Sequence, residues 1–231
     1  DHAVFGNIPS GGSITNTGDR FKVSISDNIT LGTVAFQMII LGDGLNYDYI
    51  QIRELDLLVS LNQSGFPILT GDLRSSPLVI DLDDDGDVEI VAGDNNGFVH
   101  IFNADGTAVE DNTFPFDTGN QIWGSAAAAD MDGDGLTDFV ITSKSKHLYI
   151  FDKNGLKTDY NANKYLMGTP SLGNLDDDVD LEVVVGGYSS SNQIFVINPD
   201  GSDVDGFPLA LGEKTKAGVA LADFNGNGKD D

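Results

Sequence analysis

Four segments of this chain share one nine-residue pattern, and that recurrence limits what the chain can fold into. They are Asp81–Glu89 (DLDDDGDVE), Asp130–Asp138 (DMDGDGLTD), Asn174–Glu182 (NLDDDVDLE) and Asp223–Asp231 (DFNGNGKDD). Positions 1, 3 and 5 carry Asp or Asn, and position 9 is always acidic. Successive starts lie 49, 44 and 49 residues apart. A period of this length marks a repeat architecture in which each unit buries its apolar face only against a neighbour.

The surroundings of each segment repeat as well. A small or apolar stretch precedes it (SSPLVI, GSAAAA, GTPSLG, AGVALA), and the first three are followed by β-branched runs (EIVAGD, DFVITS, EVVVGG). A second apolar run comes next (FVHIF, HLYIF, QIFVI), closed by Asp105-Gly106, Asn154-Gly155 and Asp200-Gly201. Such pairs favour the positive φ of tight hairpins. A Phe-Pro pair recurs at Phe66-Pro67, Phe114-Pro115 and Phe207-Pro208, but not in the third repeat. Each period thus holds four short strands, the content of a β-propeller blade. The reading is all-β: a partial propeller of three full repeats and the start of a fourth over residues 63–231, an incomplete ring. Residues 1–62 lack the acidic loop. They hold longer alternating runs at Phe21–Ile25, Thr33–Leu41 and Tyr47–Ser60, with turns at Pro9–Gly12 and Gly42–Gly44. They read as part of an Ig-like β-sandwich whose first strands lie upstream, in a piece of a longer polypeptide. A strand pair added to the propeller is the other reading.

The acidic loops have the chemistry of a calcium site. Calcium takes six to eight oxygens at about 2.3–2.6 Å. Side chains at positions 1, 3 and 5 turn to one point as the backbone curls, and Gly at position 6 permits the sharp turn. Without a cation, the clustered carboxylates repel one another and their pKa values rise. An EF-hand starts alike but needs Glu at position 12, where this chain has Ala92, Ile141 or Val185. A nine-residue loop between two strands fits better. The third loop, with Asn174 at position 1 and Val179 at position 6, is expected to be strained and less charged. The fourth uses neutral Asn225 and Asn227. Weaker binding is expected at these last two.

Over residues 65–231 these loops resemble the FG-GAP/VCBS-type repeats of integrin-α-like β-propellers, in which such a loop joins the first two strands of a blade and holds one calcium. The resemblance implies about one Ca2+ per loop, up to four. The first set would be the side chains of Asp81, Asp83, Asp85 and Glu89 with the carbonyl of Asp87. The second would be Asp130, Asp132, Asp134 and Asp138 with the carbonyl of Leu136. The third would be Asn174, Asp176, Asp178 and Glu182 with the carbonyl of Asp180. The fourth would be Asp223, Asn225, Asn227 and Asp231 with the carbonyl of Lys229. Residues 1–62 resemble, more weakly, Ig-like modules of secreted bacterial proteins.

The charge balance agrees with a cation-binding role. The chain has 12 Lys+Arg against 37 Asp+Glu, a formal net charge of −25, and 18 of those acids lie in the four loops. This excludes a basic nucleic-acid or anionic-lipid binder. A hydrophobic content of 40% excludes an acidic disordered tail. There is no Cys, hence no disulfide or thiolate site, and no apolar run long enough to span a membrane.

No HExxH, GxSxG or GxxxxGK[ST] motif occurs, and this segment is not expected to be catalytic. His100 aligns with Tyr149 and Phe195 and reads as packing between blades; Trp123, the single Trp, reads as inter-blade core rather than a ligand platform. The expected function is a secreted or cell-surface calcium-binding module for adhesion or scaffolding, with an extracellular protein or polysaccharide as partner. The alternative is a non-catalytic accessory region of a larger secreted peptidase or polysaccharide-degrading enzyme. A quinone-dependent dehydrogenase propeller would need tryptophan-rich repeats that this chain lacks.

Overall fold

The computed structural model describes residues 30–44, 47–63, 65–189 and 192–231. The chain divides into two compact units, Asp1–Asn62 and Gln63–Asp231. All regular structure among the described residues is β.

In the first unit, β1 (Gly32–Gly44) and β2 (Tyr47–Val59) form an antiparallel pair in unbroken register, from Gly32 opposite Val59 to Gly44 opposite Tyr47. The expected turn at 42–44 is therefore strand. Glycine propensity is a weak prior against a continuing ladder. Most described apolar side chains here are exposed, including Ile39, Ile50, Ile52 and Leu58. The expected turn at Pro9–Gly12 and strand at Phe21–Ile25 lie outside the described residues.

The second unit is a succession of antiparallel sheets, each built from consecutive strands. The first blade is β3 (Leu78–Ile80), β4 (Glu89–Gly93), β5 (Phe98–Asn103) and β6 (Phe116–Asp117), paired in that order. The second is β7 (Ala127–Ala129), β8 (Asp138–Thr142), β9 (His147–Asp152) and β10 (Gly155–Asn161). In the third, a two-residue strand, β11 (Tyr165–Leu166), joins the far end of β13 (Glu182–Tyr188). The remaining order is β12 (Ser171–Gly173), β13 (Glu182–Tyr188), β14 (Asn192–Ile197) and β15 (Leu209–Leu211). The Asp-Gly and Asn-Gly turns take the expected positive φ, at Gly106 (85°), Gly155 (118°) and Gly201 (85°). Past β15, the fourth repeat contributes its apolar stretch and acidic loop, with no named strand among its described residues.

Side-chain alternation assembles these blades. Successive residues of a strand point to opposite faces, so a central strand covered on both sides must be apolar at every position. Phe139 and Ile141 face the first blade, where Val91, Val99, Ile101 and Phe114 meet them. Val140, between them in sequence, faces the third blade with Leu148 and Ile150, against Val183, Val185 and Phe195. Val184 and Val196 turn the other way, toward Val219 and Leu221 of the fourth repeat. The first interface is the more aromatic: Phe139 and Phe151 stack with centroids 5.0 Å apart, and Phe116 meets Phe151 edge-on at 5.0 Å. Each such buried side chain contributes roughly 1.5–3 kcal/mol.

Candidate functional site

In each of the first three blades the acidic loop joins the first strand to the second, so all three loops lie at the same end of their blades. The loops are built alike. The position-9 acid, which starts the second strand in the first three blades, accepts the backbone N–H of position 2 in all four loops: Leu82 to Glu89 (2.9 Å), Met131 to Asp138 (3.1 Å), Leu175 to Glu182 (2.6 Å) and Phe224 to Asp231 (3.1 Å). The position-5 side chain accepts the N–H of position 7 in all four loops, at 2.8–2.9 Å. Position 1 accepts the N–H of position 6 from Gly86, Gly135 and Gly228. These bonds curl the loop and turn its carboxylates inward.

Three of the four loops gather acids. Carboxylate oxygens lie within 4.8 Å of one another in Asp81, Asp83 and Asp85, in Asp130, Asp132 and Asp138, and in Asp176, Asp178 and Glu182. Glu89 is buried beside the first set and Asp134 lies at the rim of the second. The fourth loop brings together no such trio among the described residues; there the Asn225 amide nitrogen donates to both oxygens of Asp231, each at 3.1 Å. Lys229, expected to offer its carbonyl, also sends its side chain to Asp177 of the third loop.

The third loop is not strained as expected. In the other loops positions 4 and 6 take positive φ, at Asp84 and Gly86, Gly133 and Gly135, and Gly226 and Gly228. Among the described residues, positive φ outside glycine occurs only at Asp84, Lys146 and Asn163, so Val179 avoids it. The position-1 side chain compensates, since the Asn174 amide donates to the carbonyl of Asp178 (2.8 Å). A β-branched residue is thus accommodated by a different loop path.

The electrostatics separate the loops. Burial pushes the Glu89 pKa up, opposed by the Leu82 N–H and reinforced by Asp83, Asp85 and Asp81. Burial likewise raises Glu182, with Asp176 and Asp178 adding to it. Buried oxygens are left without a partner at Asp81 (Oδ1) and at Glu182 (Oε1), and Glu182 is 0% exposed. A buried, unpartnered carboxylate oxygen costs free energy that a cation would offset. The donor set of hard oxygens suits calcium rather than a soft metal. The first and third loops therefore fit the ion.

The second loop differs. Lys157 Nζ lies 2.8 Å from Asp132 Oδ2, 2.8 Å from Asp138 Oδ1 and 3.5 Å from Asp134 Oδ2. Burial opposes the charge on Lys157, but its bonds to Asp132 and Asp138 outweigh that and hold its pKa above the ordinary lysine value. Asp138 is still raised by burial, against the pull of Lys157. Sequence reasoning on the loops alone missed this lysine. The signal was the turn alignment, where Lys157 stands in the column of Ala108 and Asp203.

At the opposite end of the blades, where the second strand turns into the third and the chain enters the next blade, side chains form a cleft of about 380 Å³. Asn120, Trp123, Lys144, Tyr165, Tyr188 and Lys216 are among its lining. Trp123 is not inter-blade core, as expected, but partly exposed here, with charged side chains packed on its indole: Arg74 and Lys144 each lie 4.4 Å from the ring centroid. Lys214 and Lys216 lie 5.1 and 4.9 Å from the Tyr188 ring. His100 keeps the strand position of Tyr149 and Phe195 but stacks on Phe102 of its own strand and meets Asp94 at 3.2 Å.

Residues 81–141 match the family model of the FG-GAP-like repeat. No curated protein sequence matches the chain. Among solved structures, BBS1N in its complex with ARL6DN is similar in fold, with a TM-score of 0.50 at 13% identity over 69% of this chain and 49% of that one. The Vibrio cholerae biofilm matrix protein Bap1 aligns with a TM-score of 0.36 at 19% identity, over 76% of this chain and 38% of that one. The fold comparison rests on the first, and this chain spans about half the length of that protein. Residues 81–141 thus match an FG-GAP-like repeat and lie in a run of four-stranded, propeller-like blades whose strand-linking loops gather carboxylates.

Proposed function

We propose that this chain is a calcium-stabilised β-propeller segment that serves as a binding or scaffold module outside the cell. The observation that carries this reading is Glu182: fully buried, with one oxygen unpartnered and Asp176 and Asp178 beside it. Bound calcium would supply two positive charges to an oxygen shell. In the first loop, Asp81, Asp83, Asp85 and Glu89 would hold it with the carbonyl of Asp87. In the third, Asp176, Asp178 and Glu182 would do so with the carbonyl of Asp180. The fourth loop, with the Asn225 amide already turned to Asp231, would bind least. Extracellular calcium is in the millimolar range, enough to fill weak sites.

Among the described residues no catalytic constellation stands out. Partner contact is assigned to the end of the blades opposite the acidic loops, where Trp123, Tyr188 and their cations line the cleft. A protein or polysaccharide ligand fits that surface. The hairpin of β1 and β2, with apolar side chains exposed on both strands, is read as part of an Ig-like module, since an isolated two-stranded pair is marginal in water.

Binding to the native state alone stabilises by mass action, roughly 2.7 kcal/mol per site at a hundredfold excess over Kd. The melting temperature should therefore fall by several degrees when excess EGTA replaces 2 mM calcium. An identical melt in both conditions refutes the role of calcium.

A further inference from the structure

We infer that Lys157 is a tethered cation that occupies the metal position of the second acidic loop, so that this loop is held without calcium while the first and third require it. The inference rests on the reading of the loops as calcium sites and separates them into two kinds.

Three observations carry it. The first is contact: the ammonium lies 2.8 Å from both Asp132 and Asp138 and 3.5 Å from Asp134, bridging three of the expected ligands. Asp138 is 0% exposed, and Lys157 together with the Met131 N–H satisfies both of its oxygens.

The second is placement. The pairing of β10 with β9 shifts register between Leu156 and Thr158, which leaves Lys157 as the extra residue of a bulge. A bulge re-aims a side chain, and this one sits just past the turn at the acidic end of the blade.

The third is contrast. The turns of the first and third blades carry Ala108 and Asp203 in the same column, neither of them a cation. In those two blades a loop carboxylate, Asp81 or Glu182, keeps a buried oxygen unpartnered. The unpartnered oxygens occur where the lysine is missing, and the loop that has the lysine has none.

The second loop has a complete set of acidic ligands, yet a calcium ion entering it must first expel the ammonium. That reduces its apparent affinity by the fraction of time the lysine is away. In exchange, the loop stays closed when calcium is absent.

Hydrogen exchange of the full chain, read by mass spectrometry during a calcium titration, tests this. In the wild type, peptides covering 81–89 and 174–182 should gain protection at calcium levels that leave 130–138 unchanged. In K157M the 130–138 peptide should exchange faster without calcium and gain protection at calcium about tenfold or more below the wild-type level. K157R, which keeps the charge, should behave as the wild type. Protection of 130–138 at the same calcium level in the wild type and K157M overturns the inference. If 81–89 and 174–182 fail to respond in any variant, the calcium reading fails. In that event, unchanged exchange of 130–138 in calcium-free K157M also overturns the role of Lys157, and faster exchange there supports it as the cation that closes the loop.

Discussion

The position-9 acid carries the most consequence of any residue in the repeat. It ties the loop by accepting the position-2 N–H and offers its other oxygen inward, a double role that needs a carboxylate at the first residue of a buried strand. At Glu182 this places a charge where burial, Asp176 and Asp178 all disfavour it. E182Q keeps an oxygen for the Leu175 N–H and presents an amide nitrogen to the two aspartates. Without calcium it should be more stable than the wild type by roughly 1–3 kcal/mol at pH 7, the cost of an unpartnered buried group. It should lose the calcium-dependent rise in melting temperature at that loop. The pH dependence has a definite sign. A raised folded-state pKa means that the native chain binds the extra proton, so this contribution to stability is fully present below the ordinary Glu value of 4.5 and is lost as pH rises through the folded value. The advantage of E182Q should accordingly shrink from pH 7 toward pH 4.5, measured by calcium-free thermal melts of both proteins.

Among elements, the central strands show how one sequence serves two interfaces. Phe139, Val140 and Ile141 are each 1% exposed or less, and they divide between the first and second interfaces in turn. F139A would empty a site bordered by Phe114 and Phe151 and should cost about 3–5 kcal/mol in denaturant unfolding, with calcium present or absent. The strands were legible because each period alternates apolar runs with turn pairs, a local pattern that survives folding. What was not legible depended on longer reach. Gly42–Gly44 read as a turn because glycine is a turn signal, while the register against Tyr47 and Tyr49 makes it strand. Trp123 read as core because a lone Trp usually is, while Arg74 lies 49 residues before it in the chain. Lys157 escaped because it lies 19 residues beyond Asp138, outside the motif that it neutralises.

Across residues 63–231 the strand polarity of the blades sorts charge. The acidic loops gather at one end, and Arg74, Lys144, Lys214 and Lys216 lie about Trp123 and Tyr188 at the other. Of 12 basic residues in a chain of net charge −25, four are committed to these two rings. On the proposed function the acid end would take cations and the opposite end a partner, at the two ends of the same strands. No helix among the described residues is long and apolar enough to cross a membrane. Diffraction tests calcium binding at the acid end most directly. Crystals of the protein grown in millimolar calcium should give anomalous difference peaks about 2.3–2.6 Å from the side-chain oxygens of Asp81, Asp83 and Asp85, and of Asp176, Asp178 and Glu182. Maps without a peak at either loop would contradict it.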